Sequence, residues 1–263
     1  MQHNKFFKNK NTIVKWAMLL VFFLILLTLA LVFKEGLADK LQTNFSNPKN
    51  IQNIFNGLGT TMLITVCAFV CGVIVGFITC LVLNIKSENV FVLILQNIFK
   101  AYVSIFRGTP MVVQLLIIYF IILSPLHVDS LYVAIIAFGL NSGAYVSEII
   151  RGGINSIPKG QMEAGRSLGL SYSQVMAKII FPQALRNALP SLGNELITLV
   201  KETSIVSFVA VVDLTKAFQS LATATYDYTT VYLVMGVTYF VIVYILTKLL
   251  GLLERKLMRH VRG

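Results

Sequence analysis

The chain has 263 residues, of which 56% are hydrophobic and only 13% charged. Soluble domains carry about a quarter of their residues as Asp, Glu, Lys and Arg, so this balance excludes an ordinary soluble domain. The formal net charge of +11 raises nucleic acid as a partner, but the basic residues gather in alternate loops between apolar runs, which marks membrane topology and not a nucleic-acid footprint.

Runs such as Trp16–Phe33, Leu131–Ile150 and Val231–Leu250 reach the roughly 18–20 residues that cross a bilayer as helix. Lipid offers no hydrogen bonds, so several such runs in one chain predict an α-helical bundle. Six spans are predicted, at about 16–33, 57–83, 102–123, 131–150, 192–212 and 230–250. One set of intervening segments holds Lys5, Lys8, Lys10 and Lys15, then Lys86 and Lys100, then Arg151, Lys159, Arg166, Lys178 and Arg186, and finally Arg255, Lys256, Arg259 and Arg262. The other set balances Lys34, Lys40, Lys49 and Lys216 against Glu35, Asp39, Asp129, Asp213 and Asp227. Basic residues concentrate on the cytoplasmic side, so the first set faces the cytosol and both termini are expected inside.

In chain order, residues 1–50 are a basic N-terminal segment, an extra transmembrane helix and an extracytoplasmic linker, and residues 51–263 are the main transmembrane domain. Residues 1–33 also admit a cleaved signal peptide. The apolar stretch is long for one and Gly36-x-Ala38 is a weak cleavage site, which favours a retained helix. Cys67, Cys71 and Cys80 fall in the second span with no His or acidic residue at ligand spacing, and read as small buried apolar side chains, not as metal ligands or a disulfide. Gly72 and Gly76, four apart, suggest a close-packed face. The apolar stretch 90–123 is too long for one straight helix. Arg107-Gly108-Thr109-Pro110 interrupts it, because proline lacks an amide donor and drives the preceding residue out of the helical region. Residues 90–106 are expected to be partly interfacial.

The cytosolic loop from Arg151 to Pro190 is long enough to need structure of its own. Pro158 suits a first helical turn, Lys159–Leu168 can continue as helix, and Gly169 suits the left-handed position that closes it. Ser171 and Gln174 have capping-box spacing. A second short helix with Val175, Met176, Ile179 and Ile180 on one face is expected to follow, with Pro182 and Pro190 bounding the next segment. Two short helices with an apolar face predict a docking surface for another protein.

Glu163-Ala164-Gly165-Arg166-Ser167-Leu168-Gly169, followed by Ile180-Phe181-Pro182, resembles the EAA loop of permease subunits of binding-protein-dependent ABC importers. Phe106-Arg107-Gly108-Thr109-Pro110-Met111-Val112-Val113-Gln114, Ser147-Glu148-Ile149-Ile150-Arg151-Gly152-Gly153, Lys159-Gly160-Gln161-Met162-Glu163-Ala164 and Lys201-Glu202-Thr203-Ser204 resemble segments of the polar-amino-acid branch of that family. The resemblance covers roughly residues 57–255 and leaves 1–50 outside. It implies an all-α integral membrane fold with a five-helix ABC-importer permease core, in which 151–190 is an EAA-type coupling loop. Glu163, Ala164, Gly165, Gly169, Ile180 and Pro182 are then the residues that couple to an ATPase. The implied partners are two copies of an ATP-binding subunit, a second permease subunit (identical or homologous) and an extracytoplasmic amino-acid-binding protein, in a bacterial cell membrane. ATP and Mg belong to the ATPase, so the resemblance implies no cofactor or metal in this chain and no enzymatic activity of its own. Two departures stand out: Gly165 replaces an alanine and Phe181 a leucine. Gly165 is expected to loosen its helix by about 1 kcal/mol. Gly160 to Ser167 also comes within one residue of a phosphate-binding loop, but Arg166 stands where that motif needs lysine, and the predicted helix runs through the glycine.

Ionisable groups inside a span usually face a cavity or a partner. Asn141, Tyr145 and Glu148 form an i, i+4, i+7 stripe, and Asn194, Thr198 and Lys201 repeat it with Glu195 and Glu202 alongside. These stripes are candidate walls of a translocation path, with Lys201 meeting a substrate carboxylate and an acidic side chain its amino group. The competing reading has Lys201 and nearby carboxylates satisfying one another, or lying near the cytosolic end. An ion-coupled secondary amino acid transporter is the alternative function, and would carry inverted repeats and midplane acidic pairs. A non-transporting membrane adaptor is a third.

Overall fold

The computed structural model describes residues 36–259 together with Leu20 and Leu24. Apart from those two leucines, the first predicted span lies outside the described residues, and with it the choice between retained helix and signal peptide. Helix α1 (Leu37–Phe45) is a short amphipathic segment. Its Asn44 amide donates to Asp227 at 2.9 Å and its Asn44 carbonyl accepts from Asn50 at 2.9 Å. Helix α2 (Pro48–Leu83) starts with Asn47 accepting from the Lys49 amide and Pro48 in the first turn, where a missing donor costs nothing. It packs along α5 (Ser130–Asn155). A Cβ on Gly72 would lie 2.8 Å from Ser142 and one on Gly76 2.7 Å from Val146. Close approach at these two positions therefore excludes any side chain, as the spacing predicts. Cys80 is buried, but Cys71 is exposed; its Cβ lies where Gly139 of α5 comes close.

The apolar stretch after residue 89 divides differently from the expected single span at 102–123. Helix α3 (Val90–Gly108) is itself long and apolar enough to cross a membrane, and a separate α4 (Met111–Ile117) continues as a π turn over Ile118–Ile122. The break falls where Pro110 requires it: Thr109 is extended, at φ −125° and ψ 151°. With its end fixed there, α3 keeps the preceding apolar residues in one helix.

After α5 come α6 (Lys159–Ser167) and α7 (Tyr172–Val175), then a π turn over Met176–Ile180 that runs without interruption into α8 (Phe181–Glu202). Two sequence expectations change here. The second helix of the loop is not a separate piece, and Pro190 lies inside α8 and does not bound it. Membrane helices tolerate proline where neighbours re-satisfy the freed carbonyl. The predicted span 192–212 also changes: α8 ends at Glu202, and a 3-10 turn over Thr203–Val209 leads to Ala210 in the left-handed region. Gln183, Arg186, Asn187, Asn194 and Glu195 keep α8 too polar to count among the membrane-length apolar helices. Those number four among the described residues: α2, α3, α5 and the last helix, α10 (Tyr228–Arg259). Helix α9 (Leu214–Thr225) is capped by Asp213, which accepts from the Thr215 and Lys216 amides. The largest core joins Ile64 and Ala68 of α2, Leu115 of α4, Val133 and Phe138 of α5, Leu199 of α8 and Val206 of the 3-10 turn.

Candidate functional site: an exposed hairpin and a junction of broken helices

The hairpin is built by local chemistry. Gly169, at φ +81°, closes α6, with the Leu170 amide reaching back to the Gly165 carbonyl at 3.2 Å and the Gly169 amide to that of Arg166 at 3.0 Å. This is the pairing that satisfies the last carbonyls of a helix ended by glycine. Ser171 and Gln174 then form the complete reciprocal capping box. The expected coupling residues separate into two groups. Glu163, Ala164, Gly169 and Pro182 are exposed, whereas Gly165 and Ile180 are buried. A Cβ on Gly165 would stand 2.7 Å from Val175, which is itself fully buried, so this glycine draws α6 against α7. Beside the expected helix penalty, its smallness allows close packing of the two arms. Of the expected apolar face, Val175 and Ile180 turn inward, while Met176 and Ile179 are half-buried. What the hairpin exposes instead is Leu168, 82% accessible at the tip beside Gly169. The matched motif contained this leucine, but only the turn geometry shows that nothing in the described chain covers it.

The second feature lies inside the bundle. The Gln114 amide donates to the Phe106 carbonyl at 2.8 Å, the Thr109 carbonyl at 3.0 Å and the Thr109 hydroxyl at 2.8 Å. Asn141 donates to Gln114 Oε1 at 2.9 Å and to the same Phe106 carbonyl at 3.3 Å. Asn141 is thus 3% exposed and pins the break before Pro110; it does not form a wall of the path, as the stripe reading had it. Buried polar groups in a low-dielectric interior need such partners. Helix α4 touches the 3-10 turn that ends α8, so the two interruptions of regular backbone are adjacent. Irregular backbone at membrane depth occurs where protein or an aqueous cavity satisfies it.

Beside this junction, the rest of the α5 stripe forms a charge cluster. Arg107 Nη1 stands 3.2 Å from Glu148 Oε2, Arg151 Nε donates to Glu148 Oε1 at 2.9 Å, and the Arg107 guanidinium lies 5.4 Å from the centre of the Tyr145 ring. Ser142 donates to Glu195 at 2.8 Å and ties α5 to α8. On α8, Asn194 and Lys201 are exposed, and Thr198 and Glu202 half-buried. Among the described residues Lys201 makes no ion pair, so the reading in which carboxylates pair with it is not what the structure contains. Gln114 and Ser142 were given no role from sequence; for the former, proximity to Pro110 and a place in the matched Phe106–Gln114 segment were the available signals.

An all-helical, multi-pass membrane chain with a projecting hairpin and adjacent broken helices defines a membrane transport subunit. The chain belongs to the binding-protein-dependent transport system inner membrane component family, whose model matches residues 72–259. It is 41% identical over 206 residues to the arginine transport system permease protein ArtQ of Bacillus subtilis (strain 168), covering 78% of this chain and 92% of that one. To the L-cystine transport system permease protein TcyB of the same organism it is 38% identical over 207 residues, covering 78% and 86%. Among solved structures it matches the crystal structure of an amino acid ABC transporter with histidines, with a TM-score of 0.73 and 36% identity over 79% of this chain and 95% of that one. The chain is therefore an ABC importer permease subunit and not an ion-coupled secondary transporter.

Proposed function

We propose that the chain forms one half of the translocation path of an ATP-driven importer of polar amino acids in a bacterial cell membrane, with both termini and the hairpin in the cytosol. The named cargoes of its relatives, arginine and L-cystine, support a polar amino acid, carrying an α-ammonium and an α-carboxylate, as substrate. The observation that carries the coupling role is the hairpin tip, where Glu163, Leu168 and Gly169 are exposed on a turn that Gly169 alone can adopt without strain. In this reading a separate ATPase, present in two copies and holding ATP and Mg, seats the tip in a groove. A second permease subunit, identical or homologous, completes the path, and an extracytoplasmic binding protein delivers the amino acid. The exposed Lys201, Asn194 and Tyr145, with Thr198, Glu202 and the Arg-paired Glu148, then face the half-path that the second subunit closes.

The test is co-purification of the ATPase with the tagged, detergent-extracted chain, wild type against Gly169→Asp. The ATPase accompanies the wild type and is lost with the variant. No ATPase with either form, under conditions that preserve other membrane complexes, overturns the coupling role.

A further inference from the structure

An open groove of about 490 Å³ runs between the last turns of α2 and the second arm of the hairpin, a volume within the range of about 300–1,000 Å³ typical of small-molecule sites. Its floor is apolar: Phe77 and Leu81 from α2, Met176 and Phe181 from the hairpin arm, with the Phe77 and Phe181 rings in edge contact at 5.5 Å. One rim is polar. Lys86 holds its ammonium 4.6 Å from the centre of the Tyr172 ring and has no carboxylate partner among the described residues. Ser173 also lines the groove. Glu88, two residues on, does not line the groove. The turn that carries Lys86 is held in place by the Gln96 amide of α3, which donates to the Val82 carbonyl at 3.1 Å and the Ile85 carbonyl at 2.8 Å.

Two features identify the occupant. First, the apolar floor continues an exposed stripe formed by Ile74, Ile78 and Leu81 at helical spacing on α2, with Ile85 just beyond its end. An exposed apolar stripe on a membrane-length helix suits acyl chains, so the groove is reachable by a lipid tail. Second, the only charge on its rim is positive, at the level where apolar helix gives way to polar loop. Basic pockets between helices at the cytoplasmic surface suit anionic head groups. We propose that this groove binds one anionic phospholipid, an acyl chain on the Phe77–Phe181 floor and the head-group phosphate on Lys86 and Ser173. A lipid so placed bridges a transmembrane helix and the hairpin arm. Its cytosolic placement rests on the orientation given under the proposed function, but the binding itself does not.

The full-length chain is extracted with equal amounts of phosphatidylglycerol and phosphatidylcholine, and retained lipid is counted by native mass spectrometry, with neither ATPase nor uptake required. The wild type retains one phosphatidylglycerol per chain, with a preference of about fivefold over phosphatidylcholine, the factor expected of one lysine near a charged surface. Lys86→Gln removes the preference and Lys86→Arg keeps it, which separates charge from folding. Ala177→Trp fills the groove and lowers retention of both lipids. Equal retention by the wild type, or an unchanged preference in Lys86→Gln, overturns the proposal. So does release of the lipid by millimolar inorganic phosphate, which marks a site for free phosphate. Loss of ATPase co-purification in Lys86→Gln with lipid retention intact overturns it too, and marks a protein-docking surface. Failure of the import reading leaves the lipid count unchanged, so the two are separable.

Discussion

Leu168→Ala measures how much of the hairpin's association with an ATPase resides in one side chain. Leucine to alanine removes three carbons, at about 0.8 kcal/mol for each CH2 transferred out of water. Leu168 is 82% exposed, so nearly all of that is available to a partner groove and almost none is already invested in the fold. The substitution is expected to weaken ATPase binding by about 2 kcal/mol, or about thirtyfold in Kd, while the chain's own thermal midpoint stays put. The assay is titration of the purified ATPase onto the chain in nanodiscs, with a melting curve of each form in parallel. An unchanged Kd refutes the assignment of Leu168 as the docking side chain. A fall in the melting midpoint as large as the loss of binding shows that the leucine supports the fold, and refutes the exposure argument.

Gln114→Leu strips three hydrogen bonds from the break at Thr109–Pro110 and takes the Gln114 Oε1 acceptor from the buried Asn141 amide, at about 1–3 kcal/mol for a buried donor left short of a partner. Thermal unfolding in detergent should show a clear loss, and a midpoint equal to wild type contradicts the pinning role. Lys201→Met leaves the fold intact, because Lys201 makes no ion pair among the described residues. In proteoliposomes with the full transporter it is expected to reduce uptake of a polar amino acid at least tenfold, and normal affinity and rate remove the substrate role. Asp227 supplies a pH test. Burial acts to raise its pKa, but hydrogen bonds from Thr230 and Asn44, with the nearby charge of Lys40, hold the group below its ordinary 3.8. A depressed carboxylate stabilises above its unfolded pKa, and that stability fades as pH falls through the lower folded value. Hydrogen exchange in α1 should therefore quicken as pH drops below about 4 after correction for intrinsic rates, and Asn44→Leu should flatten that dependence. Identical profiles for the two proteins contradict the tie.

Features legible in the sequence were those set within a few residues. The Ser171–Gln174 box, the Gly169 turn and the break before Pro110 each follow from one residue's backbone chemistry acting on its neighbours. Helical spacing correctly placed Asn141, Tyr145 and Glu148 on one helix, but spacing does not say what that face meets. Asn141 meets Gln114, 27 residues away, and so became an internal brace. Gly165 shows the same limit: its intrinsic helix penalty is visible in the sequence, whereas the Val175 side chain that requires its smallness is supplied by the turn back. The extent of α8 was hidden because Pro190 reads as a terminator, and a membrane helix surrounded by partners can absorb it.

The π turn over Met176–Ile180 joins α7 to α8 in one continuous helical strut, so Tyr172 and Lys201 lie near opposite ends of a contour of some 45 Å at about 1.5 Å per residue, with the π turn and Pro190 as the points where it can bend. Tilting such a strut by about 10° about one end sweeps the other through about 8 Å, larger than the pitch of a helical turn. Under the proposed coupling role, a displacement at the hairpin reaches Lys201 along continuous helical backbone.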